Sequence, residues 1–287
     1  MMSNRLKIGI TDSSYGVYGP DRFAKIAADG YDSVDYQRFV NIESDFFNLP
    51  WNEFEAELLR EREQIESLGM RVHQAHAPWR TPKDGDPEER KRWIAAMKKA
   101  IRGTSVLGAS RFVVHPLMPY GWGGECPDEV IEMNDAFLAD IADFAKDFGV
   151  TVCLENMPFR DFPIATPEHV RDTVDRLGKD NLKVCLDTGH AAIFSADVAA
   201  SVRLLSDRLE TVHIHDNLGD DDTHLIPGDG IINWDDFAAS LADIGYTGVI
   251  SLETSPKHRE FPSDKWNERE MLLFGIAENI AIKAKKV

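Results

Sequence analysis

Cysteine is scarce in this chain. There are three in 287 residues, an odd number, and two of them fall inside strand-like runs. That excludes the disulfide framework of a small secreted domain and leads us to expect a reducing, cytoplasmic setting. No apolar run is long enough to span a bilayer. The opening MMSNRLKIGITDSS has no signal-like apolar core, so no export signal is expected either. Positive charge is also short: 32 Lys and Arg against 49 Asp and Glu give a net charge of −17. Such a surface favours solubility and argues against nucleic acid or another polyanion as partner. Linkers, low-complexity tracts and composition breaks are absent, so residues 1–287 read as a single domain.

What is present is a repeat of short strand, loop and helix. Strands are expected at 6–10, 31–36, 70–76, 111–115, 150–155, 182–187, 211–215 and 249–253. Helices are expected at 21–28, 51–68, 87–107, 128–148, 167–177, 197–205, 234–244 and 266–283. Gly30, Gly69, Gly108, Gly149 and Gly245 stand where helices hand over to strands. Pro87, Pro127 and Pro167 stand at or near first-turn positions. Eight strand–helix units imply a parallel sheet, and a length near 250 residues suits its closure into a (β/α)8 TIM barrel. An open doubly wound sheet gathers its ligands at one switch point. It would not explain polar residues that follow many different strands.

Those polar residues carry the chemistry. TVCLE ends at Glu155, KVCLD at Asp187 and VISLE at Glu253, and TVHIH places His213 on the same face as the other three. The separations of 32, 26 and 40 residues are each about one strand-plus-helix unit, so the side chains should converge. Parity agrees. Side chains alternate faces along a strand. Val152 and Leu154 oppose Cys153 and Glu155, Val184 and Leu186 oppose Cys185 and Asp187, and Ile250 and Leu252 oppose Ser251 and Glu253. The aliphatic face packs under helices, while the small and polar face lines the barrel. Two glutamates, an aspartate and a histidine at one mouth make a divalent-metal site. Seven of the nine histidines lie in or near strand-end motifs. His76 ends HQAH, His115 ends VVH, and His190 stands one helical turn past Asp187 in LDTGH. His215 follows His213, and His224 lies in DTHLIPGDG. His73, of opposite parity to His76, should face outward. Cys153 and Cys185 read as interior packing, and Gly228-Asp229-Gly230 as a turn rather than a phosphate cradle. Trp79, Trp122 and Phe159 fall on strand-end loops, where they form an apolar wall at the mouth or pack as core. Arg80 and Arg160 are the candidate phosphate donors.

The set LENMP, CLDTGHA, HIHDN, HLIPGDGIINW and SLE resembles the xylose-isomerase-like TIM-barrel superfamily over essentially the whole chain. That superfamily includes sugar and sugar-phosphate isomerases and epimerases, inosose dehydratases and endonuclease-IV-type enzymes. The epimerase branch implies one divalent ion, manganese above all, with zinc, cobalt or magnesium as alternatives. Its ligands map onto Glu155, Asp187, His213 and Glu253. Glu155 and Glu253 map onto the acid/base pair, and His190 onto a substrate contact. On this reading His76, His115 and His224 also face a small carbohydrate substrate. A proton is taken and returned through an enediolate that the metal stabilises. Homo-oligomerisation is left open. Two alternatives share the site. One is an inosose-type dehydratase. The other is a multinuclear zinc phosphodiesterase of the endonuclease type, for which His76, His115, His190, Asp222 and His224 would supply further ligands. The acidic run at 220–222 and the absence of a basic, aromatic-interleaved loop weigh against a DNA substrate.

Overall fold

The computed structural model describes residues 4–79, 87–121 and 129–285. Eight parallel strands run in the order β7-β6-β5-β4-β3-β2-β1-β8. They are β1 (Lys7–Thr11), β2 (Ser33–Tyr36), β3 (Arg71–His76), β4 (Arg111–Val114), β5 (Thr151–Glu155), β6 (Leu182–Asp187), β7 (Leu209–His213) and β8 (Val249–Leu252). The ring closes through Ile214, just past β7. Its N–H donates to Ser251 O at 2.8 Å, and its carbonyl accepts from Glu253 N at 3.1 Å. The expected TIM barrel is therefore the fold. The chief shift in a strand is in β7, which begins two residues earlier than expected and leaves its ladder at His213.

The outer layer comprises α1 (Arg22–Ala28), α2 (Asp45–Asn48), α3 (Trp51–Ser67), α4 (Pro87–Val106) and α5 (Glu129–Lys146), followed by α6 (Pro167–Leu177), α7 (Thr188–Ala192), α8 (Val198–Leu205), α9 (Trp234–Asp243) and α10 (Trp266–Lys283). The short helices α2 and α7 were not expected. The five handover glycines all have positive φ. Pro167 opens α6 behind a Thr166 cap; Pro127 lies outside the described residues. Two apolar clusters separate the inside of the barrel from its outside. Phe112, Val152, Leu154, Leu186, Val212 and Ile250 join the large core beneath the helices. Val113, Cys153 and Cys185 form a small one of their own within the ring. Each buried aliphatic of the outer core contributes roughly 1.5–3 kcal/mol, so the alternation both closes the barrel and fixes which residues point to its axis.

His73 departs from expectation. The β2–β3 register shifts between Val34 and Asp35: Val34 pairs with Val72, but Asp35 pairs with Gln74. His73 is the extra residue of this irregularity, and it turns inward. Its Cε1 lies 2.6 Å from where a Cβ on Gly9 would stand, and Gly9 pairs with Ser33 and Ser251 in the barrel interior. Burial lowers its pKa to about 4, so the ring is a neutral filler beside a residue that must lack a side chain.

Candidate metal centre and active site

At the C-terminal mouth, Glu155, Asp187, His213 and Glu253 offer ligand atoms that all lie within 4.8 Å of one another. Ligands bonded at about 2.0–2.2 Å can be at most roughly 4.4 Å apart, so small side-chain adjustments would bring all four onto one ion. His213 Nδ1 is 2.8 Å from Glu155 Oε1 and 3.0 Å from Glu253 Oε2. Glu155, Asp187 and His213 are fully buried, whereas the Glu253 side chain keeps 19% exposure at the rim. Burial works against a charged His213, but the carboxylates of Glu253, Glu155 and Asp35 outweigh it and hold its pKa well above the usual value. Burial likewise opposes ionisation of Glu155; His213, His115 and His76 prevail and pull it well below the carboxylate range. A proton held among carboxylates marks a place where a cation is stabilised.

One buried atom tests the fit of an ion. Glu155 Oε2 has no hydrogen-bond partner, although His115 Nε2 lies at 3.0 Å and His76 Nε2 at 3.5 Å. The three atoms meet side-on, as ligands about a common centre do, rather than as donor facing acceptor. His76, His115 and Glu155 thus form a second ligand group that shares Glu155 with the first. A third group gathers His190, His215, Asp222 and His224. Asp222 Oδ2 is 3.3 Å from both His190 Nε2 and His224 Nε2. Burial lowers the pKa of these two imidazoles, but nearby carboxylates more than offset it, raising His190 to about 10 and His224 to about 9. The first group is rich in carboxylate oxygen and the third in imidazole nitrogen, a difference that favours harder and softer ions respectively.

The ring orientations are set by hydrogen bonds behind them. His76 Nδ1 meets Ala77 O at 2.9 Å, His190 Nδ1 meets Asn156 O at 2.8 Å and His224 Nδ1 meets Glu253 O at 2.7 Å. A carbonyl only accepts, so Nδ1 carries the proton in each and Nε2 faces the site. His213 is reversed. Its Nε2 lies 2.8 Å from Asp35 Oδ2, which leaves Nδ1 for the centre. Gln74 completes that support, donating to Asp35 Oδ2 at 2.8 Å while accepting from Thr211 Oγ1. A carboxylate behind a ligating imidazole is the usual arrangement at metal sites.

The motifs now have local causes. In LDTGH, Asp187 caps α7 by accepting from His190 N at 2.7 Å, which is why the histidine stands three residues on. In LENMP, Asn156 takes Asp187 N at 2.8 Å and gives to Asp187 O at 3.0 Å, extending the β5–β6 pairing with a side chain. Gly189 is glycine because a Cβ there would lie 2.0 Å from His215 Cε1, and His215 Nε2 reaches Asp187 at 3.0 Å. The structure brings together every site residue expected from sequence: His76, His115, Glu155, Asp187, His190, His213, His224 and Glu253. It adds Asp35, Gln74 and Asn156. Arg160 places one guanidinium nitrogen on the carbonyls of Ile193 and Gly219. Gly228 N donates to Asp216, so the Gly-Asp-Gly turn serves the chain's own carboxylate. Trp79 is half exposed, and Phe159 packs against the core. Arg80 and Trp122 lie outside the described residues. No described helix is long and apolar enough to cross a membrane.

Residues 23–273 match the family model of the xylose isomerase-like TIM barrel. Among curated proteins, the uncharacterized protein MJ1311 of Methanocaldococcus jannaschii is 34% identical over 201 residues, 68% of this chain and 66% of that protein. The D-psicose 3-epimerase of Agrobacterium fabrum is 32% identical over 114 residues, 39% of this chain and 38% of that protein. The chain therefore spans just under two thirds of the first relative's length and well under half of the second's. Among solved structures, a D-tagatose 3-epimerase-like protein superposes with a TM-score of 0.73 at 27% identity, covering 96% of this chain and 99% of the other.

Proposed function

The chain belongs to the xylose isomerase-like TIM-barrel family, and from that premise we propose that it is a divalent-metal-dependent isomerase or epimerase of a small carbohydrate. The observation that carries this is the convergence of Glu155, Asp187, His213 and Glu253 within 4.8 Å at the barrel mouth. These four would hold the ion, which when bound would polarise adjacent carbonyl and hydroxyl oxygens and so acidify the C–H between them. Glu155 and Glu253 come from strands that flank β6 and β7, so a substrate lying across the mouth meets a carboxylate from each side. One takes the proton from carbon and the other returns it. His76, His115, His190 and His224 present Nε2–bearing ring edges that bind hydroxyl oxygens and select the reacting carbon. The oxygen-rich quartet suits manganese, magnesium or zinc. The relatives' names, D-psicose 3-epimerase and D-tagatose 3-epimerase-like protein, support a ketose substrate.

The test is exchange of solvent deuterium into D-psicose, D-tagatose or D-fructose, with Mn²⁺, Co²⁺, Zn²⁺ or Mg²⁺ supplied and metal content measured. Exchange with one ion per chain is expected; no exchange with any pair of sugar and ion would overturn the proposal. The same assay reads a packing prediction. Gly189→Ala must push the His215 ring off Asp187, and about a tenfold loss of turnover is expected for so close a displacement. Unchanged turnover would show that His215 plays no part. A second reading is favoured by the two further ligand groups, one of which shares Glu155 with the quartet: a multinuclear centre acting on a phosphate ester. The net charge of −17 and the acidic run at 220–222 oppose a DNA substrate. Two or three ions per chain, with incision of an abasic duplex at low salt, would promote that reading.

A further inference from the structure

The loop after β7 delivers Asp222 and His224 to the mouth; His224 Nδ1 meets Glu253 O at its tip, and a buried carboxylate, Asp216, gathers the donors at its base. Asp216 is fully buried. Its Oδ1 accepts from Asn217 N at 3.0 Å and Ile232 N at 3.2 Å, and its Oδ2 from Gly228 N and Trp234 Nε1, both at 2.9 Å. Its backbone pairs with Leu225 in both directions, at 2.9 and 2.8 Å, closing the stretch 217–224 into a loop with a fixed base. Gly230 must be glycine, because a Cβ there would lie 2.2 Å from Asp216 Oδ1. Four N–H donors converge on an acceptor that pairs with no cation among the described residues, and they compensate its burial. The loop they fix holds His224 at φ +46°, a left-handed backbone that a histidine adopts only under constraint. The His224 ring stacks 3.9 Å from that of His215.

We propose that Asp216 is a positioning residue: it folds the 216–234 loop into its working shape before any ion or substrate binds, so that Asp222 and His224 are preplaced at the mouth. Pre-ordering of this kind removes the ordering cost from ligand binding. The primary test is amide hydrogen exchange on the chelator-stripped protein. Leu225, Gly228 and Ile232 amides should exchange about 100-fold or more slower than free peptide in the wild type. In Asp216→Asn an amide N–H₂ replaces one acceptor and faces two donors, so these amides should exchange about tenfold faster or more. Trp234→Phe keeps the ring and removes one donor of the four; it should give a smaller change in the same direction, and it serves if the Asn variant does not fold. The functional arm rests on the isomerase reading. With whichever ketose exchanges, KM should rise about tenfold while kcat stays within a few-fold, as for lost ground-state positioning. Free exchange of the stripped wild-type loop until Mn²⁺ is added would overturn the proposal, since the ion would then order the loop. So would loop protection unchanged within twofold in both variants. If no sugar reacts, the isomerase reading fails while the exchange measurement still decides the role of Asp216.

Discussion

Glu155→Gln is expected to lower solvent-proton exchange into the substrate by about 10²–10⁴-fold, the range typical of losing a general acid or base. The size follows from how many partners depend on both oxygens. Oε1 lies 2.8 Å from His213 Nδ1, and Oε2 faces His115 and His76 at 3.0 and 3.5 Å. Gln keeps the volume but replaces one oxygen with an N–H₂ group that cannot ligate a cation or take a proton. The glutamate is fully buried, so no solvent can stand in for the lost charge. Metal content must be read in parallel, because the residue is proposed both to hold the ion and to move a proton. Glu253→Gln provides the contrast. Its side chain is partly exposed and its second oxygen makes only a 3.4 Å contact from Gln37, so it should retain more of the ion while losing exchange. If Glu155→Gln kept full exchange and full metal content, the acid–base assignment would be wrong.

Much of this site was legible because a strand's parity is rigid. Once the aliphatic face of TVCLE or VISLE is assigned to the helices, Glu155 and Glu253 must point to the axis. The same rule applied to β2 would have found Asp35, since Ser33 and Asp35 alternate with Val34 and Tyr36; no histidine or motif drew attention there. His73 could not be read this way. Its inward turn depends on a register irregularity between two strands, and pairing between strands is a property of the sheet and not of either segment. The short helix α7 was missed for a related reason. Five residues carry no periodicity, and what nucleates it is the Asp187 cap, seen in sequence only as a ligand. Asp216 was read as part of a motif, HIHDN, but its role rests on donors up to 18 residues away, which no local pattern reveals.

The second large effect expected is on metal affinity rather than chemistry. Asp35→Asn should weaken binding of Mn²⁺ or Zn²⁺ by about 10–100-fold, the usual cost of removing the group behind a ligating histidine. Asp35 sits on β2 and meets His213 of β7 at the ring nitrogen opposite the one that faces Glu155 and Glu253. It accepts from His213 Nε2 at 2.8 Å, and that bond decides which ring nitrogen keeps a lone pair for the centre. Gln74 cannot replace it. Its amide nitrogen also lies 2.8 Å from His213 Nε2, but that nitrogen only donates and cannot accept the ring proton. An asparagine oxygen could still accept, yet it lacks the charge that makes the ring a stronger ligand, and its own N–H₂ would have to find room where Asp35 Oδ1 has no partner. Chelator competition on the stripped protein measures the effect without any substrate. Thermal unfolding of the stripped variant guards against a simple loss of fold, because a variant that has only lost positioning should melt near the wild type without metal and fall behind it once metal is added. Affinity unchanged within twofold would mean that the tautomer of His213 is set elsewhere, and Nε2 rather than Nδ1 would become the candidate ligand atom.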